Sequence, residues 1–95
     1  MQQLFKVLSS EQRLKLLKYL LELEKPICYC ELEDVIDRDR SVVYRHLKKM
    51  EAVGLLKTKR VGKRVECAVR EKDKVQRLLN LTKELTNTEV YANES

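Results

Sequence analysis

Ser41-Val42-Val43-Tyr44-Arg45-His46-Leu47-Lys48-Lys49-Met50-Glu51-Ala52-Val53-Gly54-Leu55-Leu56, followed at once by Lys57-Thr58-Lys59-Arg60-Val61-Gly62-Lys63-Arg64, is the stretch that decides the fold. Its first part reads as an amphipathic helix. Val43, Leu47 and Met50 fall at i, i+4 and i+7, a narrow apolar stripe turned toward a core. Gly54 fits the position just past the helix end, where the backbone turns left-handed. The second part reads as a tight β-hairpin carrying five cations, Lys57, Lys59, Arg60, Lys63 and Arg64. Gly62 supplies the positive φ that such a turn requires. A helix shaped to enter a groove, beside a basic hairpin, predicts a winged helix-turn-helix that binds duplex DNA.

With Val43, Leu47 and Met50 inward, the opposite helix face carries Arg40, Ser41, Tyr44, Arg45 and Lys48. Arginine can pair with guanine in bidentate fashion, and Ser and Tyr can bond bases or phosphates. Arg40 and Ser41 lie in the first turn, where helix-turn-helix proteins place base contacts. The hairpin cations suit a ribbon that follows the phosphate backbone or enters a minor groove, adding affinity more than sequence choice. The bland alternatives are a solvated basic face and a plain helical hairpin. The coincidence of basic helix and basic hairpin favours DNA.

Working outward, Leu4, Phe5, Val7 and Leu8 predict a short first helix. Ser9-Ser10-Glu11-Gln12 matches a capping box opening a second helix. That helix runs to about Glu24, with Leu14, Leu17, Leu20 and Leu21 on one face, widened by Leu16, Tyr19 and Leu23. Pro26 is read as its stop. Ile27-Cys28-Tyr29-Cys30 starts as a strand and leads into a short helix with Leu32, Val35 and Ile36 inward. Asp37-Arg38 is the turn, and Asp39 caps the reading helix. Leu55 to Arg60 and Arg64 to Val69 are the hairpin strands. A last helix spans about Glu71 to Asn87, and the polar tail from Thr88 to Ser95 is predicted to fray.

A chain of 95 residues is one domain with one modest core. At 43% hydrophobic and 37% charged it has the composition of a folded chain. The net charge of +5 is unevenly spread. Arg38 to Arg77 holds fourteen Lys/Arg against five Asp/Glu, and the remainder six against ten. The basic centre coincides with the reading helix and hairpin, the electrostatic footprint of phosphate binding. No apolar run approaches the roughly 20 residues that span a bilayer. The N-terminus has no signal-peptide organisation, so a cytoplasmic protein with no membrane partner is expected.

Three cysteines make a structural disulfide framework unexpected. Cys28 and Cys30 form a C-x-C whose thiolates suit thiophilic ions, though two ligands fall short of a closed zinc site. The alternative is that all three cysteines are small buried hydrophobes. His46, the sole histidine, either contacts a phosphate or packs the helix. No nucleophile–base pair, Gly-rich phosphate loop or acidic pair points to an enzyme. Val75, Leu78, Leu79, Thr82 and Leu85 line one side of the last helix at near-heptad spacing. They serve either the domain's own core or a subunit contact. The subunit contact, helped by Leu4, Phe5 and Leu8, is the preferred reading.

Four pieces now fit together: Leu8-Ser9-Ser10-Glu11-Gln12-Arg13-Leu14-Lys15-Leu16-Leu17, Ile27-Cys28-Tyr29-Cys30-Glu31-Leu32, Ser41-Val42-Val43-Tyr44-Arg45-His46-Leu47 and Ala52-Val53-Gly54-Leu55-Leu56. In these the chain resembles the ArsR/SmtB family of winged-helix repressors, from about Leu8 to Leu79. The resemblance implies a homodimeric DNA-binding transcription regulator, often a repressor released by a metal or metalloid. It implies that Cys28 and Cys30 are the two thiolates of arsenic-responsive members. Glu33 stands where those members commonly carry a third cysteine, and residues 71–95 contain no histidine for the zinc site of the last helix.

The expectation is thus an α+β, mostly helical, winged helix-turn-helix with a C-terminal dimerisation helix. Residues 1–87 form the domain and 88–95 the tail. Its partners are double-stranded DNA and a second copy of itself. No cofactor is required, and a thiophilic metal(loid) at Cys28/Cys30 is the candidate ligand. The alternatives are a chromatin-like architectural DNA-binding protein and a winged-helix protein-interaction module.

Overall fold

The computed structural model describes residues 2–86. The end of the last helix at Asn87 and the tail 88–95 lie outside the described residues. Helices α1 (Gln2–Leu8), α2 (Glu11–Leu21), α3 (Glu33–Ile36), α4 (Arg40–Ala52) and α5 (Lys72–Thr86) surround strands β1 (Ile27–Cys28), β2 (Leu56–Val61) and β3 (Arg64–Val69). A 3-10 turn, Tyr29–Leu32, joins β1 to α3. The sheet order is β1-β3-β2, antiparallel throughout. This is the mostly helical winged helix-turn-helix that the sequence predicts. α3 and α4 form the helix-turn-helix, and β2–β3 form the wing.

The core collects one stripe from each helix. Leu16, Leu17 and Leu20 of α2, Leu32 before α3, and Val43, Leu47 and Met50 of α4 are all essentially inaccessible. Leu56, Cys67 and Val69 close it from the sheet. Among the described residues no charged or polar side chain is buried, so the core carries no desolvation debt. Each fully buried leucine contributes about 1.5–3 kcal/mol of apolar transfer.

Local chemistry sets the element ends. Asp39 caps α4 by accepting from Val42 N at 3.1 Å, as expected. Gly54 follows the helix with φ +85. Asp37 adopts φ 53 in the turn between α3 and α4, and Arg38 N donates to Glu33 O at 3.1 Å across it. A short polar side chain tolerates that left-handed conformation better than most residues do.

Several expectations need correction. The cap of α2 is Ser10, which accepts from Arg13 N, so the Ser9-based capping box does not form. Ser9 instead donates Oγ to Lys6 O at 2.6 Å and closes the end of α1. α2 ends at Leu21 rather than Glu24, before Pro26 can act. Leu16 is wholly buried and Leu14 only partly, while Tyr19 stays 40% exposed, so the inward face is rotated from the expected one. Val61 pairs with Arg64, which leaves a two-residue turn of Gly62 and Lys63 rather than one that includes Val61. Val75 and Leu79, expected at a subunit contact, are only 6% and 8% exposed within one protomer. They complete its own core.

Candidate nucleic-acid interface

The stripe of Val43, Leu47 and Met50 anchors α4 to the core and so turns Arg40, Ser41, Tyr44, Arg45 and Lys48 outward, where all five are exposed. The structure brings these residues together on one face but does not leave them equally free. Arg40 Nε meets Glu33 Oε1 at 3.1 Å, an exposed pair linking α4 back to α3. Ser41 Oγ donates to Asp39 Oδ1 at 2.8 Å. That bond, with the one from Val42 N, holds the Asp39 carboxyl below its usual range. Arg45 makes no hydrogen bond or ion pair among the described residues. Lys49, one turn further on, is as exposed and as free. Sequence reasoning passed it over, although its i+4 spacing from Arg45 carried the signal.

Tyr44 has a stacking partner. Its ring centroid lies 5.5 Å from that of Tyr29, tilted by 59°. Lys48 Nζ sits 5.3 Å from the Tyr44 ring. Such a cation over an aromatic face is attracted by the ring quadrupole. The same ammonium meets Glu51 Oε1 at 3.1 Å, which pushes the Lys48 pKa up.

Glu51 is a junction that the sequence did not disclose. Its other oxygen accepts Thr58 Oγ1 at 2.6 Å, tying the last turn of α4 to the first half of the wing. The Thr58 bond, then Lys48, holds the Glu51 carboxyl below its ordinary value. The wing therefore does not lean freely beside the reading helix. One carboxylate bridges them, beside the buried Leu55 and Leu56 that lead from helix to strand.

All five wing cations are exposed, but the ribbon divides them. Successive strand residues point to opposite faces. Lys57 and Lys59 share a face with Glu66 and Ala68, their cross-strand partners. Arg64 joins that face and lies 3.9 Å from Glu66. Arg60 alternates to the side of Thr58, the side toward α4. Lys63 occupies the turn itself, beside Gly62 at φ 63.

The sulfurs of Cys28 and Cys30 are brought together with Cα atoms 5.2 Å apart, a spacing that lets the pair close as a disulfide, which spacing in the sequence left open. Cys30 N also donates to Cys28 Sγ at 3.4 Å. Among the described residues no group of three or more His, Cys, Asp or Glu side chains is placed to hold a metal ion. Two sulfurs supply half of a closed tetrahedral set, so this protomer's donors do not fit a closed thiophilic site. Cys67 is buried apart from them in β3, where its thiol donates to Ile27 O at 3.6 Å. Burial, then Glu31 and Glu66, pushes its pKa up to about 11.

Of the expected subunit contacts outside the core, Phe5 is 60% exposed, Leu4, Leu8 and Leu78 are half-buried, and Thr82 and Leu85 are exposed. Leu81, not expected, is 50% exposed on α5. No helix among the described residues is long and apolar enough to cross a membrane.

The model of the family described as bacterial regulatory protein, arsR family, matches residues 10–58. A cadmium resistance transcriptional regulatory protein CadC homolog from Staphylococcus aureus is 33% identical over 61 residues, 64% of this chain and 50% of that protein. The arsenical resistance operon repressor of Escherichia coli is 38% identical over 61 residues, 64% of this chain and 51% of that protein. The chain spans about half the length of these curated relatives. The homodimeric winged helix-turn-helix DNA-binding domain from Mycobacterium bovis matches with a TM-score of 0.74 at 19% identity, covering 93% of this chain and 79% of that one. That likeness speaks for the fold.

Proposed function

Because the chain belongs to the arsR family of bacterial regulatory proteins, we propose that it is a homodimeric, sequence-specific double-stranded DNA-binding transcriptional repressor of the cytoplasm. One observation carries the reading. Arg45 and Lys49 stand free on the outer face of α4, and Glu51 ties that same helix to a ribbon with Lys63 and Arg64 at its tip. A groove-reading helix and a backbone-following wing are held as one unit. Arg45, Tyr44 and the first turn of α4 would meet base edges, and the wing cations would meet phosphates.

A twofold dimer would set two reading helices about 34 Å apart, one turn of DNA, and would favour a palindromic operator. The exposed apolar side chains Phe5 and Leu81 support that dimer. So does the homodimeric state of the Mycobacterium bovis domain. The thiol pair is the candidate modulator. Tyr29 lies between Cys28 and Cys30 in sequence, and its ring packs on Tyr44 of the reading face. A change at the sulfurs therefore has a two-residue path to the DNA contacts. No step of the proposal passes through a metal.

Fluorescence anisotropy with reduced protein tests the reading, comparing the gene's own upstream DNA with a scrambled duplex across salt concentrations. Specific repression predicts a preference above about 100-fold, with affinity falling as salt rises. Equal, salt-sensitive binding to every duplex in a genome-wide selection would replace the reading with an architectural role. Repeating the titration with the Cys28–Cys30 pair oxidised reads the thiol contribution directly.

A further inference from the structure

Three side chains from separate parts of the chain meet where α4 rests on the first two helices. Arg13 of α2 donates Nε to Val7 O at 2.7 Å and Nη2 to Lys6 O at 3.5 Å. It thereby satisfies the Val7 carbonyl at the end of α1 and joins Ser9 on that of Lys6. Its remaining nitrogen, Nη1, lies 3.3 Å from His46 Nδ1. On the other side of the ring, His46 Nε2 lies 2.9 Å from Gln12 Oε1.

These contacts determine the state of the imidazole. A guanidinium only donates, so Nδ1 must accept. The ring proton then sits on Nε2 and is donated to the amide oxygen of Gln12. His46 is neutral, in one tautomer, with both nitrogens satisfied. The charged groups around it are all cationic: Arg13 from α2, Arg38 from the turn, and Arg45 and Lys49 from α4 itself. Burial first, and then these cations, hold its pKa below the ordinary histidine value.

We propose that His46 is a positioning residue for DNA reading: as a neutral ring it fixes α4 to the α1–α2 corner through Arg13 and Gln12, and it touches no phosphate itself. The inference rests on α4 being the reading helix. Its consequence is a sign. Protonation would place an N–H at Nδ1 against the Arg13 guanidinium, which has no lone pair to receive it. The contact to Arg13 breaks and the helix loses a tie. A histidine facing phosphate would behave in the opposite way, since the DNA charge would favour its protonated form.

The test uses the full chain and its one histidine, whose ring signals need no separate assignment. Long-range proton–nitrogen correlation on the free protein should show the Nε2–H tautomer at neutral pH. It should also show α4 amides shifting as the ring titrates. Anisotropy on a specific duplex, from about pH 7.5 to about pH 5.5 at constant salt, should show the wild type losing a few-fold more affinity than His46→Gln, which cannot titrate, short of the roughly tenfold an unshifted histidine would give. Affinity that rises on acidification in the wild type alone would make His46 a phosphate contact and overturn the inference. Parallel pH profiles, an Nδ1–H tautomer, or α4 amides indifferent to the titration would overturn it too. If His46→Gln does not fold, the wild-type resonance and binding profiles decide alone. A failure of the DNA-reading proposal looks different: no duplex binds at any pH, while the ring state and the α4 shifts still report on the positioning role.

Discussion

Replacing Thr58 by Val removes one hydroxyl and should loosen the wing from the reading helix. The hydroxyl donates to Glu51 at 2.6 Å, a short bond to a charged acceptor. Hydrogen bonds to charged groups contribute about 1.5–3 kcal/mol when shielded. The Glu51 side chain is 32% exposed, so water competes for it. A figure of about 1 kcal/mol is the reasoned expectation for Thr58→Val at neutral pH. Glu51→Ala and the double variant complete a cycle, whose coupling should also be about 1 kcal/mol. The pH dependence has a definite sign. Glu51 is held below its ordinary pKa, so its stabilisation is fully present above about pH 4.5 and is lost as pH falls through the lower folded value. Urea unfolding at about pH 7 and about pH 3 measures both, and the Thr58→Val deficit should shrink at the acid end. A coupling no larger than about 0.3 kcal/mol at neutral pH would refute the junction, since unconnected sites deviate that much.

Arg45→Ala should cost about 1–3 kcal/mol of binding and relax sequence preference at one operator position, as read by anisotropy over single-base variants. A uniform loss over all duplexes would make Arg45 a phosphate clamp. Gly54→Ala should destabilise by about 1–2 kcal/mol in urea unfolding, because φ +85 suits glycine. Space is not the issue there, as the nearest atom to an added Cβ is Arg70 Nη1 at 3.5 Å. Leu17→Ala, in the fully buried centre of α2, should cost about 2–5 kcal/mol by calorimetry or urea. With Cys67 at a pKa of about 11, roughly a thousandth of it is thiolate at about pH 8. Iodoacetamide followed by mass spectrometry should therefore label reduced Cys30, which is only partly buried, long before Cys67.

Local rules reached the elements whose determinants lie within one turn. Asp39, the Val43–Leu47–Met50 stripe and Gly54 specified α4 completely, because cap, face and stop are all short-range. The hairpin was legible from Gly62, but its turn was expected to include Val61, which instead pairs with Arg64. What local rules missed depended on which of several competing contacts, near or far along the chain, wins. Whether Ser9 or Ser10 caps α2 depends on which hydroxyl is free, and Ser9 is engaged by Lys6 O. Whether Val75 and Leu79 face a partner or the core depends on how α5 folds back, which periodicity alone does not tell. Lys72 at its start bonds the Leu23 carbonyl, a contact 49 residues apart in sequence. The Arg13–His46–Gln12 cluster and the Glu51–Thr58 junction join residues that no local pattern associates. Both decide how the reading face is presented.

The outer half of the wing has a further consequence. From Arg60 through Arg64 every residue is exposed, so no side chain there is anchored in the interior. That segment is held by ladder hydrogen bonds and the exposed Arg64–Glu66 pair, contacts weak enough to open and re-form without unfolding the body of the protein. Its amides should exchange with deuterium far faster than those of α2 or of Leu56. A fingertip that flexes on a fixed knuckle can follow minor grooves of differing width, while the helix beside it keeps its register on the bases.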